Sequence, residues 1–225
     1  MGAEAELATP RQRAKGLNRE IIIDTCLQLT DESGASALTF RRIGRALGAD
    51  PTALYRHFKD KDELLLALTD RLIGEALRDF EPTQSWREDI RELLIRGRRA
   101  YLAHPQVAAL AAVRVTRQES EMRFVETILA TLRKAGFEGD DVVKIYRACA
   151  DFMLAWTGFS AALRLLGEKS ATDVRAWAEA YAQAPAGRFP NAAAAAASMS
   201  AIDDDENFLF SLDLLLDGIE ARLAG

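Results

Sequence analysis

Apolar residues recur at helical spacing along nearly the whole chain, and no stretch alternates with the period of two that marks a strand. The most informative stretch is Thr39 to Phe58, TFRRIGRALGADPTALYRHF. Phe40, Ile43, Ala46 and Leu47 fall on one helical face, which predicts a helix over Phe40–Leu47 with Thr39 as its N-cap. Gly48 stands where a left-handed stop is needed. Asp50 is placed to cap a second helix, with Pro51 in the first position, where no amide hydrogen is required. That second helix carries Thr52, Ala53, Tyr55, Arg56 and His57, and only Leu54 and Phe58 point back to a core. A narrow apolar edge with small, hydroxyl, aromatic and basic groups elsewhere suits a helix that reads a DNA major groove.

The flanking pattern builds a small head around this pair. Asn18 is the expected cap of a first helix, with Leu17 and Ile22 as a hydrophobic staple and Ile22, Ile23, Cys26, Leu27 and Leu29 inward. Asp60 and Glu63 form an expected capping box for a fourth helix that buries Leu64, Leu65, Leu68, Leu72, Ile73, Ala76 and Leu77 and ends at Pro82. A head of this size is marginal alone, so the fourth helix is expected to pack on the body of the chain. The body then reads as helices from Trp86 to Ala103, Val107 to Val115, Glu119 to Ala135, Asp140 or Asp141 to Leu166, Thr172 to Ala184 and Asp203 to Leu223. Residues 185–202 contain Pro185, Gly187, Pro190 and an alanine run of high helix propensity with little to bury, and are expected to form a mobile loop with nascent helix. The division expected is an arm over 1–17, a head over 18–80 and a body over 81–225.

Two helices are more apolar than one buried side requires: Asp141–Leu166 and the last helix. Together with the same pair from a second chain they would make an intermolecular four-helix bundle. The interface expected is Phe152, Phe159, Phe208, Leu212, Leu215, Leu216 and Ile219, and the alternative is a helix internal to a monomer.

Composition adjusts this picture in three places. With 49% hydrophobic residues among 225, a sizeable core is available and wholesale disorder is excluded. No apolar run of membrane-span length stands out and the N-terminus lacks the build of a signal peptide, so a cytoplasmic location is expected. Cys26 and Cys149 sit inside helical patterns and read as small buried apolar groups, with no metal or cofactor expected. The net charge is −5, but Arg11 to Lys61 holds ten Lys/Arg against six Asp/Glu. A basic head on an acidic body is compatible with phosphate contact through the head alone. Arg11, Arg13 and Lys15 in the arm are open to two readings, a solvated tail or extra DNA contact.

Leu38 to Leu65, LTFRRIGRALGADPTALYRHFKDKDELL, resembles the TetR family of bacterial transcriptional regulators: a threonine-led helix, a glycine turn, then Leu54-Tyr55-Arg56-His57-Phe58 and Lys61. The ending FLFSLDLLLDGIEARL is similar to the last helix of the tetracycline-repressor-like subgroup. Gly44 departs from the alanine common there, and Ala49-Asp50 from an apolar-then-serine pair. The resemblance implies an all-α protein with a three-helix helix-turn-helix head joined by a fourth helix to a larger ligand-binding and dimerisation body. It implies a homodimer that binds a palindromic double-stranded operator, most commonly as a repressor released by a small-molecule effector, with no enzymatic activity and no membrane partner. The alternative is a DNA-binding dimer without such an effector. The DNA-contacting set implied is Thr39, Arg41, Pro51, Thr52, Ala53, Tyr55, His57 and Lys61, with Arg42, Arg45, Arg56 and Lys59 equally open to a solvated role. The candidate effector site is Trp86, Tyr101, Leu110, Arg114, Phe124, Tyr146, Phe152 and Trp156. Arg114 and Asp151 are open to three roles: orienting a ligand, pairing with each other, or facing solvent.

Overall fold

The structure, a computed structural model, describes residues 16–223. The expected arm lies almost wholly outside the described residues. Among those described there are eleven α-helices, one 3-10 turn at Ala35–Ala37 and no strand. The protein is all-α.

In the head, α1 runs Arg19–Ser33, and Asn18 Oδ1 accepts the Ile21 amide hydrogen at 2.9 Å. The next helix, α2, is Phe40–Leu47, where Thr39 Oγ1 accepts from Arg42 N and Gly48 closes the helix at φ 62°. Gly44 is the point of close approach between α2 and the following turn: a Cβ there would lie 2.8 Å from the Ala49 carbonyl oxygen. The third helix, α3, is only Pro51–Leu54. Tyr55, Arg56 and His57, expected on this helix, form a tighter turn in which the Arg56 amide bonds Ala53 O and the His57 amide bonds Leu54 O. Leu54 and Phe58 are both buried.

The long connector α4 is Lys61–Ala76, with Asp60 Oδ1 accepting from Glu63 N at 2.8 Å. The return bond of the expected capping box goes elsewhere, since Glu63 Oε2 takes the Lys59 amide. The helix ends six residues before Pro82, in a turn with Asp79 at φ 55°.

The body comprises α5 Trp86–Leu102, α6 Pro105–Ala111, α7 Glu119–Lys134, α8 Gly139–Leu166, α9 Glu168–Ala182, α10 Pro190–Ala201 and α11 Asp204–Leu223. Helix α6 stops short of Val115, and Val113 and Val115 stand exposed on the segment after it. The expected loop at 185–202 instead contains α10, which packs along α9. Its alanines need no amphipathic face, because high helix propensity and a neighbouring helix suffice. Helix α8 is long and apolar enough to cross a membrane by length and composition, although Lys144, Arg147 and Asp151 interrupt its apolar run. In this fold it packs against α5, α6, α7 and α11.

Two apolar clusters organise the molecule. One joins α1–α4 to Tyr101, Leu102, Val107, Ala108, Ala111 and Ala161 of the body, so the head shares its core with the body. The other fills the body around Leu93, Ile128, Cys149 and Leu212. The start of α11 is fixed by Arg98, buried beneath it. Arg98 donates to Asp204 at 2.7 Å, to Asp205 and to Ser160, and lies 4.6 Å over the Phe208 ring.

This packing corrects four interface expectations. Phe208, Leu212, Leu216 and Ile219 are buried against the chain's own α5 and α8. Phe152 and Leu215 pack beside that cluster, and Phe152 stacks on Phe208 with ring centroids 5.6 Å apart. The most exposed large apolar groups on α8 and α11 are Phe159, Phe210 and Leu214, at 58%, 63% and 57% exposure, with Val143, Leu165, Leu166 and Leu223 also on the surface.

Candidate DNA-reading head and effector cleft

The head presents the polar groups that the sequence singled out. Thr39, Arg41, Thr52, Tyr55 and Lys61 are exposed, while Pro51, Ala53 and His57 are half-buried. The Tyr55 ring leans edge-on against Phe40 at 4.5 Å, which fixes the phenol's direction without burying it. The Thr52 hydroxyl donates to Asp50 Oδ1 at 2.6 Å. Its proton is thereby committed to the cap, leaving its methyl and lone pairs outward. Hydrogen bonds from the Thr52 hydroxyl and amide hold the Asp50 carboxyl below its ordinary range. Arg42 is half-buried, and Arg45, Arg56 and Lys59 are exposed.

One contributor carried no sequence signal. Arg19, at the start of α1, lies 4.2 Å over the Phe58 ring, pairs with Glu63 at 3.0 Å and donates to the His57 carbonyl oxygen. It therefore ties the Tyr55–His57 turn to α1 and α4.

In the body, α4, α5, α7, α8 and the segment after α6 enclose a cleft of about 520 Å³. Of the eight expected effector residues, Tyr101, Arg114, Phe124 and Tyr146 line it. The other four do not. Trp86 packs edge-on against Phe137 at 5.8 Å, and Phe152 and Trp156 pack on Phe208. Leu110 faces outward on α6 at 38% exposure. The sequence reading missed Ile73, Glu121, Arg147, Met153 and Phe159, which also line the cleft. Only Asp151, also in the lining, had been flagged as a polar residue on an apolar helix.

The polar groups of the cleft are mostly engaged. Arg147 and Asp151 pair at 3.0 Å along α8. Glu121 Oε2 accepts from the Thr116 hydroxyl and the Arg117 amide, both at 2.7 Å. Arg114 does not meet Asp151; it pairs with Asp62 of α4 at 2.8 Å. That pairing draws the Asp62 carboxyl below its ordinary range and raises Arg114. Burial, reinforced by Glu121 and Asp70, raises the Tyr101 phenol, so it remains a neutral hydrogen-bond donor.

One helix joins the two sites. Lys61 opens α4 in the head, while Ile73 and Ala76 of the same helix line the cleft. Asp70, between them, accepts the Ser120 and Glu121 amide hydrogens at 3.2 and 3.0 Å. It supplies across the interface the cap that Gln118, the residue before α7, does not provide.

Residues 22–68 match the family model described as bacterial regulatory proteins, tetR family, and residues 80–223 match the tetracyclin repressor-like C-terminal domain. These matches define a transcriptional regulator, not an enzyme. The chain belongs to the TetR family. The class D tetracycline repressor of Escherichia coli is 30% identical over 210 residues, covering 92% of this chain and 91% of that protein. An HTH-type transcriptional regulator of Saccharopolyspora erythraea is 32% identical over 138 residues, covering 61% of this chain but only 58% of that protein's length. Among solved structures, the TetR family protein ActR of Streptomyces coelicolor in complex with actinorhodin superposes with a TM-score of 0.81 at 26% identity, covering 92% of this chain and 97% of that one.

Proposed function

We propose that the protein is a homodimeric repressor that binds a palindromic operator through two heads and is released when a small planar, largely apolar molecule enters the body cleft. The observation that carries this reading is the shared helix: α4 has Lys61 at one end in the head and Ile73 and Ala76 in the cleft wall. In this reading residues 18–80 read DNA and 81–225 bind the effector and dimerise, in the cytoplasm where the DNA is. Thr39 and Lys61 meet phosphates at helix N-termini. Pro51, Thr52 and Ala53 approach base edges, with Arg41, Tyr55 and His57 beside them. Two heads held at a fixed separation match half-sites about 34–36 Å apart or a multiple of one turn. The effector class follows from the Tyr101, Phe124 and Tyr146 rings among apolar walls. It is also in keeping with a related protein crystallised with actinorhodin.

The test begins with selection of binding duplexes from random DNA, followed by light scattering of the complex and release titrations with aromatic metabolites. A dimer on a palindrome, released by at least one aromatic compound, is the expected result. A monomer on DNA, or binding that no compound releases, counts against the repressor-and-effector reading.

A further inference from the structure

We propose that Arg114 serves the cleft and the head in turn. Paired with Asp62, it cancels a negative charge beside Lys61; an effector bearing an acidic group takes it over and leaves that charge facing DNA. This rests on the roles assigned above to head and cleft.

The geometry singles out Arg114 among the charged groups of the cleft. Arg147 is engaged by Asp151 of its own helix, and Glu121 by Thr116 and Arg117. Arg114 alone of these four has its counter-ion outside the cleft lining, on α4. Both terminal guanidinium nitrogens are used, Nη1 and Nη2 each 2.8 Å from a different Asp62 oxygen, a two-pronged pairing that a carboxylate on a ligand reproduces. Arg114 sits on the non-helical segment between α6 and α7, between the exposed Val113 and Val115, so no packed side chain beside it resists a small swing.

Exchange of partners is cheap on both sides. The arginine trades one carboxylate for another, and Asp62, itself exposed, stays solvated when released. Asp62 directly follows Lys61, and Arg117 also draws its carboxyl below the ordinary range. Its freed charge therefore opposes the attraction of Lys61 for phosphate. At roughly 8 Å in water-like surroundings such a repulsion weakens DNA binding by about 1.5- to 2.4-fold per head, hence about two- to five-fold for the two heads of a dimer, and salt screens it.

The first arm of the test uses a duplex selected by the wild-type protein. At about 50 mM salt, Arg114→Ala should bind two- to five-fold more weakly, with the gap closing as salt rises. The double variant Asp62→Asn/Arg114→Ala should regain the lost affinity, since no charge is left to cancel. If the double variant stays as weak as the single one, Arg114 only props α4 and the proposal is overturned. The second arm compares anthraquinone-2-carboxylate with its carboxamide by thermal shift and by DNA release. The acid should bind more tightly and release DNA. Asp62→Asn should bind the acid more tightly still, yet release DNA less, as the reciprocity of coupled sites demands. Equal binding of acid and amide overturns the acidic-effector assignment but leaves the cleft as an effector site. Binding of neither compound removes the effector reading as well, and failure to select any duplex removes the DNA reading.

Discussion

Asp70→Ala tests whether α4 is welded to the effector-cleft wall. Asp70 is half-buried on α4 and accepts two backbone amide hydrogens at the start of α7, from Ser120 at 3.2 Å and Glu121 at 3.0 Å. The Thr116 hydroxyl also approaches at 3.0 Å, but it is closer to Glu121 at 2.7 Å, so its single proton is not counted. Losing a side-chain cap costs about 1 kcal/mol, and hydrogen bonds to an ionised acceptor contribute about 1.5–3 kcal/mol each when buried. Partial exposure lets water replace part of both bonds, so the expected loss is about 2 kcal/mol. For a chain of this length that lowers Tm by about 4–8 °C. Asp70→Asn keeps one acceptor oxygen and should lose about half as much. Differential scanning fluorimetry of the three proteins at equal concentration gives the measurement. A Tm within about 1 °C of wild type for Asp70→Ala would refute the reasoning, because the α7 cap would then be supplied by water at no cost.

Gly44→Ala gains about 1 kcal/mol of helix propensity but sets a Cβ 2.8 Å from Ala49 O. Overpacking of about 1–3 kcal/mol should win, lowering Tm and DNA affinity together, and a stabilised variant would contradict the close approach. Phe210→Glu places a charge on a ring that is 63% exposed in the isolated chain. It should yield a folded monomer by light scattering, and an unchanged dimer would move the interface elsewhere. Burial pushes the Cys26 and Cys149 thiols up from 9.0 to about 12. Both should resist a thiol reagent at pH 8 until the chain unfolds. A thiol raised in the folded state leaves stability intact below the unfolded pKa and removes it above, so stability should fall from about pH 9 upward by about 1.4 kcal/mol per unit for each thiol. Flat stability to pH 11 would show that the thiols ionise in place.

Much of the head was legible because its determinants are local. Asn18, Thr39, Asp50 and Asp60 each cap the helix after them, and each bond spans two or three residues. What failed was non-local. The faces of α8 and α11 were read correctly as apolar, yet periodicity says which side is buried and not against which chain. Phe208 and Leu212 face their own α5 and α8, while Phe210 and Leu214 remain outside. The aromatics of the body divide in the same way. Tyr146 reaches the cleft, whereas Phe152 and Trp156, on the same helix, turn to Phe208. Helix α10 was expected only as nascent helix because an alanine run carries no amphipathic pattern to show the neighbouring helix that supports it. Glu121 and Arg147 carry no local sequence signal, and only the enclosing helices reveal them as cleft groups.

The shared core limits how a signal can pass from cleft to head. Leu64, Leu65, Leu68 and Leu72 pack among residues from α1, α2, α5 and α6, so the head cannot turn about a free hinge. What remains is a tilt of α4 as a rod. From the Asp70 attachment to Lys61 is nine residues, about 13.5 Å of helix. In the proposed operator complex, a displacement of about 2 Å at Lys61, enough to break hydrogen bonds to phosphate, needs a tilt of about 8–9° over that length. Asp70 ties the rod to α7 near its cleft end, and Asp62 ties it to Arg114 at its head end. Under the proposed function, an occupant that pushes on Ile73 would pivot α4 about the Asp70 attachment and strain the Asp62 pair in the same motion. Loosening that pair by Asp62→Asn should therefore leave the mechanical tilt in place and remove only the part of the response that depends on salt.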